Sequence, residues 1–245
     1  MSHIDTSAHI NRWRKKSLAE KALLAIGMLL IAVCVPSWID DLVVAVLMIA
    51  ATVLGARVPF DLWWKAMTAP ISFLFIGVLT LIFQVGFFPF HIGLAPHGLE
   101  LAGRLGVRAF AGLTCLLFLA LTTPAADLTA GLRRLGVPAE IVEMALLMYR
   151  FVFLLTDTAE AMNAAQAARL GHVTYKMHMK SLSLLIVNLM PRAFARAQAL
   201  EIGLAARGWH GDLRVLSPVR PASPAWIGAI VAAEVIVLVI GLRTL

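Results

Sequence analysis

Long stretches without a charged residue alternate with short polar ones along the first half of the chain. Ala22 to Ile39 holds no acidic or basic residue, enough to cross a hydrocarbon core of about 30 Å as a helix. Pro36 and the Asp40–Asp41 pair are expected to end it. Leu42 to Ala56 follows as a shorter apolar run, flanked by Arg57, which can snorkel to the interface. Arg57, Asp61, Trp63, Trp64 and Lys65 then read as an interfacial loop with a tryptophan belt. A third span is expected at about Ile71 to Phe90 and a fourth at about Gly106 to Thr123. A Gly/Pro/His-containing loop, His91 to Arg104, lies between them, and Arg108 is placed near the outer end of the fourth.

After Pro124 the pattern changes: charges return every few residues while apolar positions stay frequent. Ala125 to Gly136 predicts a short helix, with Asp127 near its start, Arg133 and Arg134 in its last turn and Gly136 as its stop. A long helix is expected from Pro138 to about Arg169, closed by Gly171. Another runs from about Lys180 to Arg207 and stops at Gly208, with a kink or break at Pro191. The Pro-rich linker Ser217 to Pro224 leads to a last span at Ala225 to Leu242. The chain therefore divides into a polar segment, 1–21, four spans within 22–123, a helical domain at 124–224, and a fifth span in 225–245. The expected fold is an all-α integral membrane protein with about five transmembrane helices and a cytoplasmic helical domain.

Composition supports this reading. Of the 245 residues, 60% are hydrophobic and 14% charged, whereas a soluble domain averages about half apolar and a quarter charged. The net charge of +7 has a simple cause. With the N-terminus inside, all 21 Lys and Arg except Arg104, Arg108 and Arg243 fall on the cytoplasmic side, as the positive-inside rule requires. No nucleic-acid partner is needed to explain it. The apolar stretch after Lys21 is too long and too late for a secretory signal, has no A-x-A-like site, and is expected to be retained. Cys34 and Cys115 sit in apolar runs and suggest neither a disulfide framework nor a zinc site.

Candidate chemistry is sparse. The chain has no G-x-x-x-x-G-K-[ST] loop for a nucleotide's phosphates, so if transport is ATP-driven, ATP hydrolysis is expected on another subunit. Ser181 and Ser183 lack a His and Asp at readable spacing, so the chain is not expected to be an enzyme. His91 and His97, with Glu100 nearby, flank the outer loop without a ligand spacing on one helical face, and His172, His178 and His210 lack it too. His3 is no better placed. No cofactor and no bound metal are expected. Glu234 is the one carboxylate inside an expected span. Such a group is costly in the bilayer and often functional, which keeps open an ion-coupled secondary transporter. A non-transporting assembly protein is a third reading. Met144, Met148, Met162, Met177, Met179 and Met190 cluster in the helical domain and suit contacts that repack.

The two long helices end alike. Aligning Arg169 with Arg207 also matches Ala159 with Ala197, Ala161 with Ala199, Ala167 with Ala205 and Ala168 with Ala206. Small residues allow close helix approach. A terminal arginine is favoured by the helix dipole and leaves its guanidinium free, and a glycine permits a left-handed stop. Each site alone reads plainly as a capped helix with a solvated arginine. The pair reads as two forked cations presented to a partner.

Ala168-Arg169-Leu170 and Ala206-Arg207-Gly208, on long helices after four spans, resemble the two Ala-Arg-Gly signatures of the T component of energy-coupling-factor transporters. The chain is most similar to the CbiQ type, which serves cobalt and nickel uptake. Ile4-Asp5, Asn11-Arg12, Glu20-Lys21, Thr123-Pro124, the segment from Leu132 to Pro138, and Tyr149-Arg150-Phe151 are similar too. Leu170 departs from the pattern, with glycine one place later at Gly171. The resemblance implies a multi-pass subunit of the bacterial inner membrane. It would grip two cytoplasmic ATP-binding cassette ATPases through Ala168, Arg169, Leu170, Ala206, Arg207 and Gly208 and couple them to a separate substrate-binding membrane subunit. The apolar first half of the 139–171 helix is where that subunit would be held.

Overall fold

The computed structural model describes residues 11–87, 90–94, 98–208 and 223–244. The chain divides into two compact units, one of Met1–Leu128 with Pro218–Leu245 and one of Thr129–Ser217.

The first unit opens on a 3-10 turn, Arg12–Lys15, and then helix α1, Leu18–Cys34, whose N-cap Ser17 accepts a hydrogen bond from the Ala19 amide. Pro36 stops α1, because the residue before a proline is pushed out of the helical region, and Val35 is extended at φ −94° and ψ 116°. Asp40 and Asp41 were expected to close this span. They lie instead in the first turn of α2, Trp38–Ala50, where carboxylates complement the positive helix end. A π-helical turn, Ala51–Gly55, extends α2 to 18 residues from Trp38, so the run that looked short is of spanning length.

Helix α3, Phe60–Ile82, absorbs Asp61, Trp63, Trp64 and Lys65, which the sequence placed in a loop. The helix also passes through Pro70. The expected third span reached Phe90, but the chain leaves the helix at Ile82. Phe83–Phe87 (β1) and Phe90–Leu94 (β2) form an antiparallel hairpin, with Phe83 opposite Leu94 and Phe87 opposite Phe90. Aromatic and β-branched residues favour the pleated form here. The outer loop expected to reach Arg104 is likewise corrected: α4 starts at Gly98 and runs to Thr122. Glu100 and Arg104 pair one turn apart on it at 2.8 Å. The last helix of this unit, Pro224–Arg243, has proline at its first position, where no amide hydrogen is needed.

Among the described residues, four helical stretches are long and apolar enough to cross a membrane: Trp38–Gly55, Phe60–Ile82, Gly98–Thr122 and Pro224–Arg243. Helix α1, with 17 residues, lies at the short end of the spanning range. The chain is an all-α membrane protein, with one small hairpin among the described residues. Its core joins Leu24, Met28 and Ala32 of α1 to Val44 and Met48 of α2, Cys115 and Phe118 of α4, and Ile230 and Val237 of the last helix. A second cluster sets Trp63 and Met67 of α3 against Leu121. Arg108 lies on α4. It donates to the Val35 carbonyl at 3.1 Å and lies 3.6 Å from the Asp41 carboxylate, tying α4 to the α1–α2 turn.

Helix α5, Ala125–Leu132, straddles the division between the units and passes into a 3-10 turn, Arg133–Leu135. Gly136 stops it at φ +89°, as the sequence indicates. The second unit is then a pair of long helices, α6 at Ala139–Ala168 and α7 at Tyr175–Ala205, packed on each other. Helix α7 starts earlier than Lys180 because the Thr174 hydroxyl caps it, accepting from the Met177 amide. It runs through Pro191 as one element, so the expected break is absent. The last helix of the chain, Pro224–Arg243, is called α8.

Candidate functional site

The ends of α6 and α7 share one backbone design. At the end of α6 the Leu170 amide donates to the Ala167 carbonyl at 3.0 Å, and the Gly171 amide donates to the Gln166 carbonyl at 2.9 Å. These are the two bonds of a Schellman cap, and Leu170 holds its left-handed position at φ +60°. At the end of α7 the Gly208 amide donates to the Ala205 carbonyl at 3.0 Å, and Gly208 has φ +71°. Arg169 and Arg207 therefore occupy the same place, the last residue before the left-handed one. Ala168, Arg169, Leu170, Ala206, Arg207 and Gly208 are all exposed.

Gly171 was expected to supply the left-handed stop of α6. Leu170 supplies it, and Gly171 meets a different demand. A Cβ at Gly171 would lie 2.6 Å from the Ser181 Oγ and 2.9 Å from the Gln166 carbonyl oxygen. Ser181, buried on α7, donates to the Gly171 carbonyl at 3.0 Å. That bond fastens the cap of α6 to the second turn of α7. The connection between the helices also brings His172 and His178 into edge contact, with ring centroids 4.8 Å apart.

The rest of the pair is unusually bare. Ile141, Met144, Met148 and Val152 form an exposed stripe along the first half of α6, and Met179, Leu182, Ile186, Met190 and Phe194 form another along α7. Contiguous exposed apolar surface of this kind marks an interaction site. Arg150 and Asp157 of α6 and Arg196 of α7 line a cleft of about 440 Å³ between the two helices.

Other singled-out residues are dispersed. Glu234 lies on α8, its carboxyl group against the backbone of Gly27 on α1, and its Oε1 has no hydrogen-bond partner among the described residues. Ser183 donates within its own helix turn, to the Lys180 carbonyl at 2.8 Å. No group of three or more His, Cys, Asp or Glu able to hold a metal occurs among the described residues. His3, His97 and His210, and the side chain of His91, lie outside them.

A further cluster of polar side chains lies within the first unit. Asn11, Glu20 and Lys21 are partly or fully buried at one end of the first unit, holding backbone groups of Leu121, Thr122 and Ser223. Beside them the Lys16 ammonium lies 4.0 Å from the centroid of the Trp13 ring and 3.0 Å from that of Trp226. Burial pushes this ammonium below its usual range, with the Glu20 charge pulling the other way and Arg12 adding to the lowering. A charged pair at the very start of an apolar run was the available signal.

Comparison with known proteins follows the same lines. The cobalt transport protein model CbiQ matches residues 10–217. The cobalt transport protein CbiQ of Rhodobacter capsulatus is 48% identical over 241 residues, covering 98% of each chain. The energy-coupling factor transporter transmembrane protein EcfT of Listeria innocua is 33% identical over 178 residues, 65% of this chain and 66% of its own. A putative fused cobalt transport protein CbiMQ of Methanocorpusculum labreanum is 29% identical over 218 residues, 85% of this chain but 36% of the longer relative. The features together define a multi-pass transmembrane transport protein. The chain belongs to the CbiQ family, the T-component type of the energy-coupling-factor transporters.

Proposed function

We propose that this chain is the coupling subunit of an ATP-driven cobalt importer, linking two cytoplasmic ATPases to a separate substrate-binding membrane subunit. The observation that carries the reading is the matched pair of caps. Two helices of one unit each end in an exposed arginine followed by a left-handed residue, so two equivalent guanidinium forks project from equivalent backbone. Two like sites suit two like partners. A guanidinium at a helix C-terminus is stabilised where it stands and still presents its donors to carboxylates or carbonyls.

In this reading ATP hydrolysis belongs to another polypeptide, in keeping with a sequence that lacks a phosphate-binding loop. ATP-driven closure of the ATPases would move α6 and α7 as stiff levers, and the motion would enter the membrane helices as a rigid-body or shear shift. The apolar stripe of Ile141, Met144, Met148 and Val152 would receive the substrate-binding subunit, whose own surface is apolar because it lives in the bilayer. The fused relative, in which a segment like this chain is about a third of a longer transport protein, agrees with a working partner. The distribution of cations supports an N-terminus and a 129–217 unit on the cytoplasmic side of a bacterial inner membrane. Nickel, whose divalent ion shares cobalt's preference for nitrogen ligands, is proposed as a second substrate, chosen on the partner.

Reconstitution tests this. The complex purified on this chain and placed in vesicles is expected to accumulate Co²⁺ only with ATP on the side of the 129–217 unit. Uptake by this chain alone, driven by an ion gradient without ATP, would contradict it.

A further inference from the structure

Two adjacent residues of α1 hold the two helix ends of the first unit that flank the 129–217 unit in the sequence. The Lys21 ammonium, 2% exposed, donates to the carbonyl of Thr122 at 2.8 Å. Thr122 is the last residue of α4, from which the chain leaves for the 129–217 unit. The Glu20 carboxylate, 4% exposed, accepts from the Ser223 amide at 2.7 Å. Ser223 is the N-cap of α8, where the chain has returned. Each charge matches its helix end: the ammonium faces the negative C-terminus of α4, and the carboxylate faces the positive N-terminus of α8.

The N-terminal segment reinforces both ties. Asn11 donates to the Leu121 and Thr122 carbonyls, each at 3.2 Å, and Lys16 lies over the rings of Trp13 and of Trp226 in the first turn of α8. The 129–217 unit is joined by chain to the rest at two places only, one on each side of it. In sequence, the helix ends held by this pair, at Thr122 and Ser223, lie one on each side of that unit. Charge-assisted hydrogen bonds out of reach of water are short and stiff, so a displacement of either connection is carried into α1.

We propose that Glu20 and Lys21 are positioning residues that act as the fulcrum of transport, fixing the exit from α4 and the entry to α8 to one point on α1. The proposal rests on the coupling-subunit reading and adds to it the place where motion enters the membrane helices.

The test uses the assembled complex in vesicles, with Co²⁺ uptake and ATP hydrolysis measured on the same preparation. Glu20→Ala removes the acceptor. Ser223→Pro removes the donor from the other side, at a φ of −80° that a proline ring accepts. Glu20→Gln keeps an oxygen for the Ser223 amide. Glu20→Ala and Ser223→Pro are expected to lower the Co²⁺ moved per ATP by about tenfold, with assembly and hydrolysis retained, and Glu20→Gln to recover most of that loss. A merely structural pair would reduce the amount of complex without changing the ratio. An unchanged ratio, a Gln variant as poor as the Ala variant, or uptake lost only in step with assembly overturns the fulcrum. Wild-type uptake indifferent to ATP overturns the coupling reading itself, and the fulcrum with it.

Discussion

Leu170 and Gly208 stand in the same place, one residue after an exposed arginine at a helix end, and both have left-handed backbones, with φ of +60° and +71°. A glycine adopts that conformation freely, whereas a leucine meets its own Cβ against the backbone, at a cost of about 1–2 kcal/mol. The backbone of the cap is thus kept at the first arginine although the side chain opposes it. The Gly171 amide, bonded to the Gln166 carbonyl, and the Ser181 tie to the Gly171 carbonyl hold it in place.

Leu170→Gly is accordingly expected to stabilise the protein by about 1 kcal/mol, less than the full strain because glycine gains freedom in the unfolded chain. Thermal unfolding of the detergent-solubilised protein reads this directly as a raised midpoint. A lowered midpoint would mean that the leucine side chain contributes packing that outweighs its strain.

Gly171→Ala should act in the opposite sense. Its Cβ would press on the Ser181 Oγ and the Gln166 carbonyl oxygen, and overpacking of this kind costs about 1–3 kcal/mol. Ser181→Ala, which removes the bond to the Gly171 carbonyl, is expected to cost about 1 kcal/mol. The double variant should lose less than the sum, since the smaller side chain at 181 relieves one of the two clashes. Strict additivity in the same unfolding assay would show that the cap and α7 are independent.

Glu234 separates two mechanisms. Its carboxyl group occupies the space that a side chain at Gly27 would need, so Gly27→Ala is expected to destabilise the α1–α8 contact by about 1–3 kcal/mol, and Glu234→Ala to restore part of the loss in the double variant. Glu234→Gln keeps the shape and removes the ionisable group. In a coupling subunit it leaves ATP-driven uptake within about twofold of wild type, as a change with no lost contact should. In an ion-coupled transporter it abolishes uptake.

The sequence made the number and order of the long helices legible, because gaps between charges are a one-dimensional signal. Their ends were harder, since the same residue can close one element or open the next. Asp40 and Asp41 looked like the end of a span and are the start of the following one. Trp63, Trp64 and Lys65 looked like a loop and are helical. The hairpin at Phe83–Leu94 was hidden inside an apolar run, where length alone favours helix. The paired arginines were visible through the internal repeat. The left-handed backbone at Leu170 was not, because side-chain identity argued for the next residue. The buried ties of Glu20 and Lys21 were out of reach for another reason: their partners lie 203 and 101 residues away, and periodicity carries no information over such distances.

The two caps also define how the coupling role can be challenged. Reversing one charge, Arg169→Glu or Arg207→Glu, leaves helices and membrane insertion intact, since both side chains are exposed and neither cap bond uses a side chain. The carboxylate opposes the negative helix end at a local cost of about 0.3–1 kcal/mol, too little to unfold the protein. It would face an acidic or carbonyl-lined groove with the wrong sign.

The most direct measurement is therefore the amount of ATPase that co-purifies with the membrane-inserted chain carrying both Arg169→Glu and Arg207→Glu. The expected result is normal insertion with the ATPases lost and ATP-driven Co²⁺ uptake gone, each single variant falling between. Undiminished ATPase and uptake in the double variant would contradict the assignment of these arginines to coupling.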